Sequence, residues 1–489
     1  MSRILFVMPY PGYLRMYAST VLGLTARGHE VVLAYDKPDK QREQAPTLAR
    51  VPETPRVAGA VPTHGGPWRA LLIELGCTID YVRFLSSRDG TPYLRMRMEK
   101  YLPARAAALR RAGTWPAPVV RALAAIATVV ERAVPVDPAL VDFLRGIAPD
   151  ALVITPLVLR GPSGVQQTQL VKAARRLGVP VGLAVGSWDH LSSKGLIRVD
   201  PDAVIVWNET QKHEAVEMHG VPAARVVITG AQAFDQWFSA TPTLTREAFL
   251  TRAGLPSGHP VILYVGSSRG IARPELERAF VRQWIAALRA SPDPGVRDAS
   301  VLIRPHPGNF ESWDTEDWAG LGPVVVWPRQ RPRIPMSDEE TAEYFHSLYY
   351  SAAIVGINTS AMIEASILDR PVYTVQTPDF SPTQGGTTHF HYLVEGGGCV
   401  RSAATFDEHL AQLSAGLANP DEGKAARAAF VAQFVRPRGL ATSATEHVVV
   451  AIERLAGVRV RPVADRPLWL APVRAALRLA ARSMAAGRS

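Results

Sequence analysis

Residues 351–375, SAAIVGINTSAMIEASILDRPVYTV, constrain the fold more than any other stretch. Positions 352–355 form a short apolar run with β-branched residues, the length of a buried strand. Gly356-Ile357-Asn358-Thr359-Ser360 breaks that run. From Ala361 the pattern turns helical, with Met362, Ile363, Ser366 and Ile367 on one face. Asp369-Arg370-Pro371 ends the helix, and 372–375 begins another strand. The stretch is a β-loop-α-β unit with its loop at the carboxyl end of a strand, where open α/β sheets bind ligands. Thr359 or Ser360 is expected to cap the helix, whose first N–H groups make an anion site. A plain capped helix fits the stretch equally, so the remaining chain decides.

The same alternation runs through both halves. Residues 3–8 read as a buried strand, 9–13 as a Pro/Gly turn, 14–26 as a helix with Gly28 in the C-cap place, and 30–35 as the next strand. No G-x-G-x-x-G is present, so a bound NAD or FAD is not indicated. Residues 37–66 are polar and read as a loop. Residues 67–134 read as largely helical, with 119–130 expected in a core or between domains and Tyr93–Arg97 on an exposed face. Strands follow near 151–154, 180–185, 202–207 and 226–229. A linker is expected near 235–258. Beyond it lie strands near 261–265, 301–303 and 324–327, then the unit that opened this reading. Two alternating halves imply two doubly wound parallel sheets. The expected boundaries are 1–238, 239–440, and a helix with a basic tail over 441–489.

Cys77 and Cys399 stand far apart with no C-x-x-C pair, which excludes a disulfide framework and suits a reducing cytoplasmic compartment. No run reaches the length of a membrane span. Net charge is +10, but 457–489 holds seven Arg and one Asp, so +6 of it sits in the tail. The body therefore lacks the basic face of a nucleic-acid binder, and no nucleic-acid partner is expected. Within the tail, Arg474, Arg478 and Arg482 recur every four residues, while Leu470, Val473, Leu477 and Met484 fall on another face near Trp469. A basic amphipathic helix of this kind suits an anionic membrane surface, and equally a helix packed on the body.

Four loops of the second half fall at carboxyl ends of strands: 266–270 (GSSRG), 304–307 (RPHP), 356–360 (GINTS, including Asn358) and the segment after Val375. Gly266 and Gly270 permit close backbone approach. Ser267, Ser268, Thr359 and Ser360 offer hydroxyls, and Arg269 and Arg304 offer planar cations. His306 offers a ring N–H, and Glu364 is placed to meet a ribose diol. Together these suit a nucleoside diphosphate. In the first half, 187–194 is the richest loop. Asp189 and His190 are its candidate bases for an acceptor hydroxyl. Trp188 and Lys194 join Tyr10, Gly12 and Tyr13 as acceptor-side residues. His389 and His391 read as polar residues near the site, and no metal is expected.

The opening strand, loop and helix followed by RGHEVVLAYD resemble the start of a GT-B glycosyltransferase. So does the turn V-x-x-T-G-x-x-x-F-D over 226–235. RPHP, then Y-x-S-A-A-x-V-G-x-x-T-S-x-x-x-E-A, then R-P-V, resembles the C-terminal domain of capsule and teichoic-acid-type transferases. It is also similar to non-hydrolysing UDP-N-acetylglucosamine 2-epimerases. The resemblance implies two Rossmann-like domains facing each other across a cleft. It implies nucleotide contacts at Arg304, His306, Thr359, Ser360 and Glu364, and a nucleotide-sugar as donor substrate with no further cofactor. It implies a saccharide or lipid-linked acceptor in cell-surface polysaccharide or glycolipid assembly, on the inner face of the cell membrane. Gly356-Ile357-Asn358 stands where the epimerases carry an acidic-Ser-Gly-Gly run, which counts against an epimerase. The Ser-Ser pair that follows Asp-Tyr in glycerophosphate transferases is also absent, which puts that substrate in doubt.

Overall fold

A computed structural model describes residues 1–489 except 41–47, 49–54, 64, 67, 87–89, 157–160, 200, 314–315, 335, 465–467 and 487–489. The chain divides into two compact units, Met1–Ala233 with Arg436–Ser489, and Phe234–Val435.

Among the described residues the first unit is built on a parallel sheet of seven strands. They are β1 (Arg3–Met8), β2 (Glu30–Tyr35), β3 (Arg56–Ala60), β4 (Ala151–Ile154), β5 (Val181–Ala184), β6 (Ala203–Val206) and β7 (Val226–Ile228), in the order β3-β2-β1-β4-β5-β6-β7. Successive side chains of β1 enter opposite cores. Leu5 and Val7 pack with Leu140, Leu144 and Leu170, while Ile4, Phe6 and Met8 pack with Val21, Leu24, Val448 and Ile452. Burial on both faces is why the strand reads as a continuous apolar run. The helix Ala444–Ala456 comes from the far end of the sequence, yet it completes the second of these cores. Arg27 and His29 reach Glu453 at 2.7 and 3.1 Å. Residues 441–489, set apart in the sequence reading, thus lie in the first unit.

The second unit carries six described strands: β8 (Val261–Val265), β9 (Ser300–Arg304), β10 (Val324–Val326), β11 (Ala353–Gly356), β12 (Val372–Val375) and β13 (Val400–Ala403), all parallel, in the order β10-β9-β8-β11-β12-β13. Because every strand points the same way, the loops after β9, β8 and β11 are neighbours on one edge.

Several expectations need correction. The stretch 37–66 is not wholly loop, since β3 pairs with β2 at its end; as an exposed edge strand, RVAGA lacks the apolar signal of a buried one. Helix 14–26 begins as a 3-10 turn, Pro11–Met16, before Ala18–Ala26 becomes α-helical. The stretch 235–258 is not an open linker but holds helices Asp235–Ser239 and Arg246–Ala253. The helix Pro138–Ile147, with Asp137 as N-cap and Pro at its first position, was missed. Helix Ala117–Ala133 is not core: it buries Val120, while Val119, Leu123 and Ile126 are exposed.

Candidate functional site

In the second unit the three loops interlock at the carboxyl edge. Gly266 N–H donates to Arg304 O at 2.9 Å, and a Cβ on Gly266 would come within 2.9 Å of the His306 backbone nitrogen. Only glycine lets GSSRG lie this close to RPHP. Asn309 binds the two loops, donating to Ser267 O at 2.7 Å and accepting from Arg269 Nε at 3.1 Å. Beneath them Glu277, from helix Pro274–Arg289, accepts from Ser267 N–H at 2.7 Å and from the Tyr264 hydroxyl at 3.1 Å. Burial pushes the Glu277 carboxyl up to about 7, against the pull of the Ser267 N–H.

Arg304 ends β9 and is buried. It donates to Ser347 Oγ at 3.2 Å and lies 4.8 Å from the centre of the Tyr344 ring. The Tyr344 hydroxyl donates to Glu364. Among the described residues no carboxylate comes within ion-pair distance of the guanidinium. Burial lowers it to about 10, while Tyr344, Glu343 and Glu364 act only partly in return. A buried charge ordinarily has a partner at contact distance. Nearby, Gly308 N–H donates to His306 Nδ1 at 3.0 Å, so the neutral ring carries its proton on Nε2 as a donor.

The GINTS loop behaves differently from expectation. Neither Thr359 nor Ser360 caps the helix Ala361–Ile367: Ser360 sits at the N-cap with helical backbone angles and makes no side-chain cap bond, because the turn closes through backbone bonds from Met362 N–H and Ile363 N–H instead. Asn358 is buried and donates to Thr383 O at 2.6 Å, tying the loop to the segment after β12. Gln384 ties the same segment through Thr374 and Val375 O. His391 contacts Glu395 at 2.6 Å and Gly385 O at 2.9 Å, so both its ring nitrogens are engaged.

In the first unit, the loop after β5 is a closed knot. Asp189 accepts from Ser187 Oγ at 2.7 Å, Ser193 Oγ at 3.0 Å and Lys194 Nζ at 2.6 Å. Asp189 and Lys194 thus hold each other, and His190 and Trp188 are buried beside them. Tyr13 is buried after β1, its hydroxyl lying where a Cβ on Gly186 would approach to 2.1 Å. Tyr10 meets Tyr13 edge-on at 6.0 Å, and Gly12 is buried between them. Beneath the knot, Asp80 accepts from Leu196 N–H at 2.8 Å, and Arg83 donates to Lys194 O at 3.1 Å and to Leu191 O. Arg198 pairs with Asp80 at 3.1 Å and with Glu131 at 3.0 Å, the latter a charge contact poorly aligned as a hydrogen bond. His219 accepts from Ile197 N–H at 3.1 Å and contacts Leu191 O at 2.8 Å. Burial, then Arg83, hold His219 well below its usual value and therefore neutral.

No family model and no curated protein matches the sequence. Solved structures do. UDP-GlcNAc 2-epimerase from Neisseria meningitidis bound to UDP-GlcNAc aligns over 92% of this chain and 100% of its own, at 12% identity and TM-score 0.50. S. aureus MnaA with UDP aligns over 95% and 100%, at 12% identity and TM-score 0.51. The chain has the GT-B fold.

Within this GT-B chain, Arg269, Arg304, His306 and Asn358 gather on one edge of the second sheet, and Asp189, His190, Trp188 and Lys194 gather in one loop of the first unit. Sequence reasoning missed Glu277, Asn309, Asp80, Arg83 and Asp36. The first four support loops from other elements, and nothing in their spacing shows that. Asp36 was quoted in LAYD without a role; its carboxylate oxygens are buried at the carboxyl edge of the first sheet, and burial pushes the group up to about 7.

Proposed function

We propose that the protein is a glycosyltransferase that moves a sugar from a nucleoside-diphosphate donor to a hydroxyl acceptor in cell-surface polysaccharide or glycolipid assembly. The observation that carries the donor half is Arg304, a buried guanidinium with no carboxylate at contact distance among the described residues. A diphosphate is the anion that such a cation, the His306 N–H and Arg269 would share. Ser267, Ser268, Thr359 and Ser360 add hydroxyls along the same edge, Gly266 admits the backbone, and Glu364 meets the ribose. His190 takes the acceptor proton as the oxygen attacks the anomeric carbon and the diphosphate leaves with the bonding electrons. Asp189, already satisfied by three donors, orients the loop. A panel of nucleoside diphosphates and nucleotide-sugars tests the donor half by thermal shift, since a ligand of the native state raises its stability by mass action. A flat response across the panel refutes it.

For the acceptor half, a labelled donor is followed to product. His190→Gln should lose ~10²–10⁴-fold in rate with nucleotide affinity kept. Asp189→Asn reports on orientation. Parent-like rates in both variants place the base elsewhere.

A second reading is favoured by the likeness to a UDP-GlcNAc 2-epimerase bound to UDP-GlcNAc: isomerisation of a UDP-sugar on the same loops. The same labelled donor separates the two. Label transferred to an acceptor supports the transferase; an epimerised donor with no acceptor required supports the isomerase.

The transferase reading includes peripheral attachment to an anionic membrane. Helix Ala471–Ala486 buries Ala481 and donates from Arg474 Nε to Ala133 O at 3.0 Å, so one side packs on the body. Its other side exposes Leu479 (71%), Arg478 and Arg482, preceded by Leu468 (89%) and Trp469 (69%). Met484 lies outside the described side chains. The neighbouring helix Ala117–Ala133 adds exposed Val119, Leu123, Ile126 and Arg121. Apolar groups interleaved with arginines suit a lipid–water interface. No described helix is long and apolar enough to cross a membrane. Truncation after Val463 should abolish sedimentation with vesicles containing anionic lipid; equal partitioning removes the membrane from the proposal.

A further inference from the structure

The GSSRG loop rests on an acid. Glu277, on helix Pro274–Arg289, is fully buried under it. Its Oε1 takes both donors that reach the carboxyl, Ser267 N–H at 2.7 Å and the Tyr264 hydroxyl at 3.1 Å. Its Oε2 is shut off from solvent and takes none. Among the described residues no cation pairs with it. Arg278 and Arg282 of the same helix turn to Glu316, and Arg269 of the loop holds Asn309. Two further helices pack on Pro274–Arg289. Pro294–Arg297 presents Arg297, which pairs with Asp298. Phe406–Ala418 presents His409, which accepts the Trp284 N–H at 3.0 Å. Burial raises the Glu277 carboxyl to about 7, and only Ser267 and Tyr264 pull the other way.

A buried carboxylate with two hydrogen bonds and no cation is poorly compensated. The loop above it is the one that offers Arg269 and its backbone to an anion. A diphosphate gripping GSSRG brings like charge to the far side of the peptide unit that Glu277 holds. Like charge nearby favours the neutral form of an acid. The neutral acid still accepts the Ser267 N–H on Oε1 and carries its proton on Oε2. The anchor of the loop is thus kept in both forms, while the charge beneath the loop is not.

We propose that Glu277 is a positioning residue of the anion-binding loop, neutral whenever the loop carries a nucleotide diphosphate, so that nucleotide binding takes up one proton from solvent onto this side chain. The linkage rests on the diphosphate reading of this edge and adds its regulation: the site holds its ligand less tightly as pH rises.

The experiment uses the full chain and nucleotide-sugars, whose esterified diphosphate has no proton to lose near neutral pH. Calorimetry in buffers of different ionisation enthalpy reads the protons taken up per ligand bound. At pH 7, where the unliganded acid is part ionised, uptake should be about half a proton. Well below that pH the proton is already in place, so uptake should vanish and affinity should be level. From there to about pH 9 affinity should fall roughly tenfold, the equivalent of a shift of about one pH unit on binding. Glu277→Gln keeps an oxygen for Ser267 N–H and cannot titrate; it should show no uptake and should hold the parent's low-pH affinity throughout. Tyr264→Phe, the second variant, removes a donor to the carboxyl and should move the fall in affinity to higher pH. A merely structural Glu277 would alter affinity in these variants without moving stoichiometry or profile. His306, on the adjoining loop, is of a type that also changes charge near neutral pH. Uptake that persists unchanged in Glu277→Gln belongs elsewhere on this edge and overturns the proposal. Binding without uptake in the parent overturns it too and leaves the diphosphate reading standing. No binding at any pH removes the diphosphate reading and the linkage together.

Discussion

Two buried arginines, Arg198 in the first unit and Arg304 in the second, sit under loops at the carboxyl edge of a parallel sheet. Their surroundings are opposite. Burial pulls on the Arg198 guanidinium, but Glu131 and Asp80 overcome it and raise it above its ordinary value. Arg304 suffers the same burial without a described carboxylate at contact and falls to about 10. The first cation is complete within the chain and acts as a strut for the 187–198 loop. The second has no carboxylate at contact distance among the described residues, which supports its proposed role as a binding group for an anionic ligand. Burial of a charge alone therefore does not separate structure from function; the identity of its partners does.

The comparison breaks most sharply at Arg198. Arg198→Met removes the cation and leaves Asp80 and Glu131 buried and facing each other. Removing one member of a buried charge group costs about 3–5 kcal/mol. Denaturant unfolding of parent and variant should show that loss. A change under ~1 kcal/mol would make the network decorative and remove the strut from under the His190 loop.

Glu277 sharpens the comparison from the acidic side. Its carboxyl, near 4.5 when unfolded, is held at about 7 in the native state. The folded form therefore holds the proton longer, and this group's stabilisation is lost as pH rises from about 4.5 through 7. The full effect is about 3 kcal/mol at most. Glu277→Gln keeps an oxygen for Ser267 N–H and removes the titration. Measured against the parent, the variant should gain stability between pH 4.5 and 8. A constant difference across that range would mean that Glu277 is ionised in the fold and that the GSSRG loop stands on a charge.

Much of this is legible in the amino-acid sequence. The strands are, because burial on both faces writes them as continuous apolar runs bounded by Gly and Pro. β3 is not, because an exposed edge strand of Arg, Val, Ala and Gly carries no such mark. The second-sheet loops were visible as Gly, Ser and Arg at strand ends, and the structure adds their adjacency through Gly266 and Asn309. What stayed hidden were relations between distant elements. Asp80 and Arg83 grip a loop more than a hundred residues away, and 444–456 returns to close the first core. Asp189 was visible as a polar residue in a rich loop, but its three donors come from Ser187, Ser193 and Lys194, and only folding brings those hydroxyls and that ammonium onto one carboxylate. Helix 117–133 misled because its composition is that of a core helix, while its outer face is open.

The last test applies the same substitution to the other arginine. Arg304→Met removes a buried cation that has no carboxylate to strand; what it leaves behind is the Ser347 hydroxyl, which also donates to Glu343 O at 2.8 Å, and the Tyr344 ring, which packs as well on a thioether. Stability without ligand should therefore change by less than about 1 kcal/mol or rise, since replacing buried charge by an apolar side chain of similar volume is often neutral or favourable. Affinity for the nucleoside diphosphate should fall by about 1.5–3 kcal/mol, the worth of a hydrogen bond to a charged group, or roughly ten- to hundred-fold. The two readouts separate the roles. Lost stability with unchanged affinity would make Arg304 a strut like Arg198, and the contrast between the two edges would disappear. Kept stability with lost affinity would show that the second sheet holds its cation for a ligand, as the first holds its own for a loop.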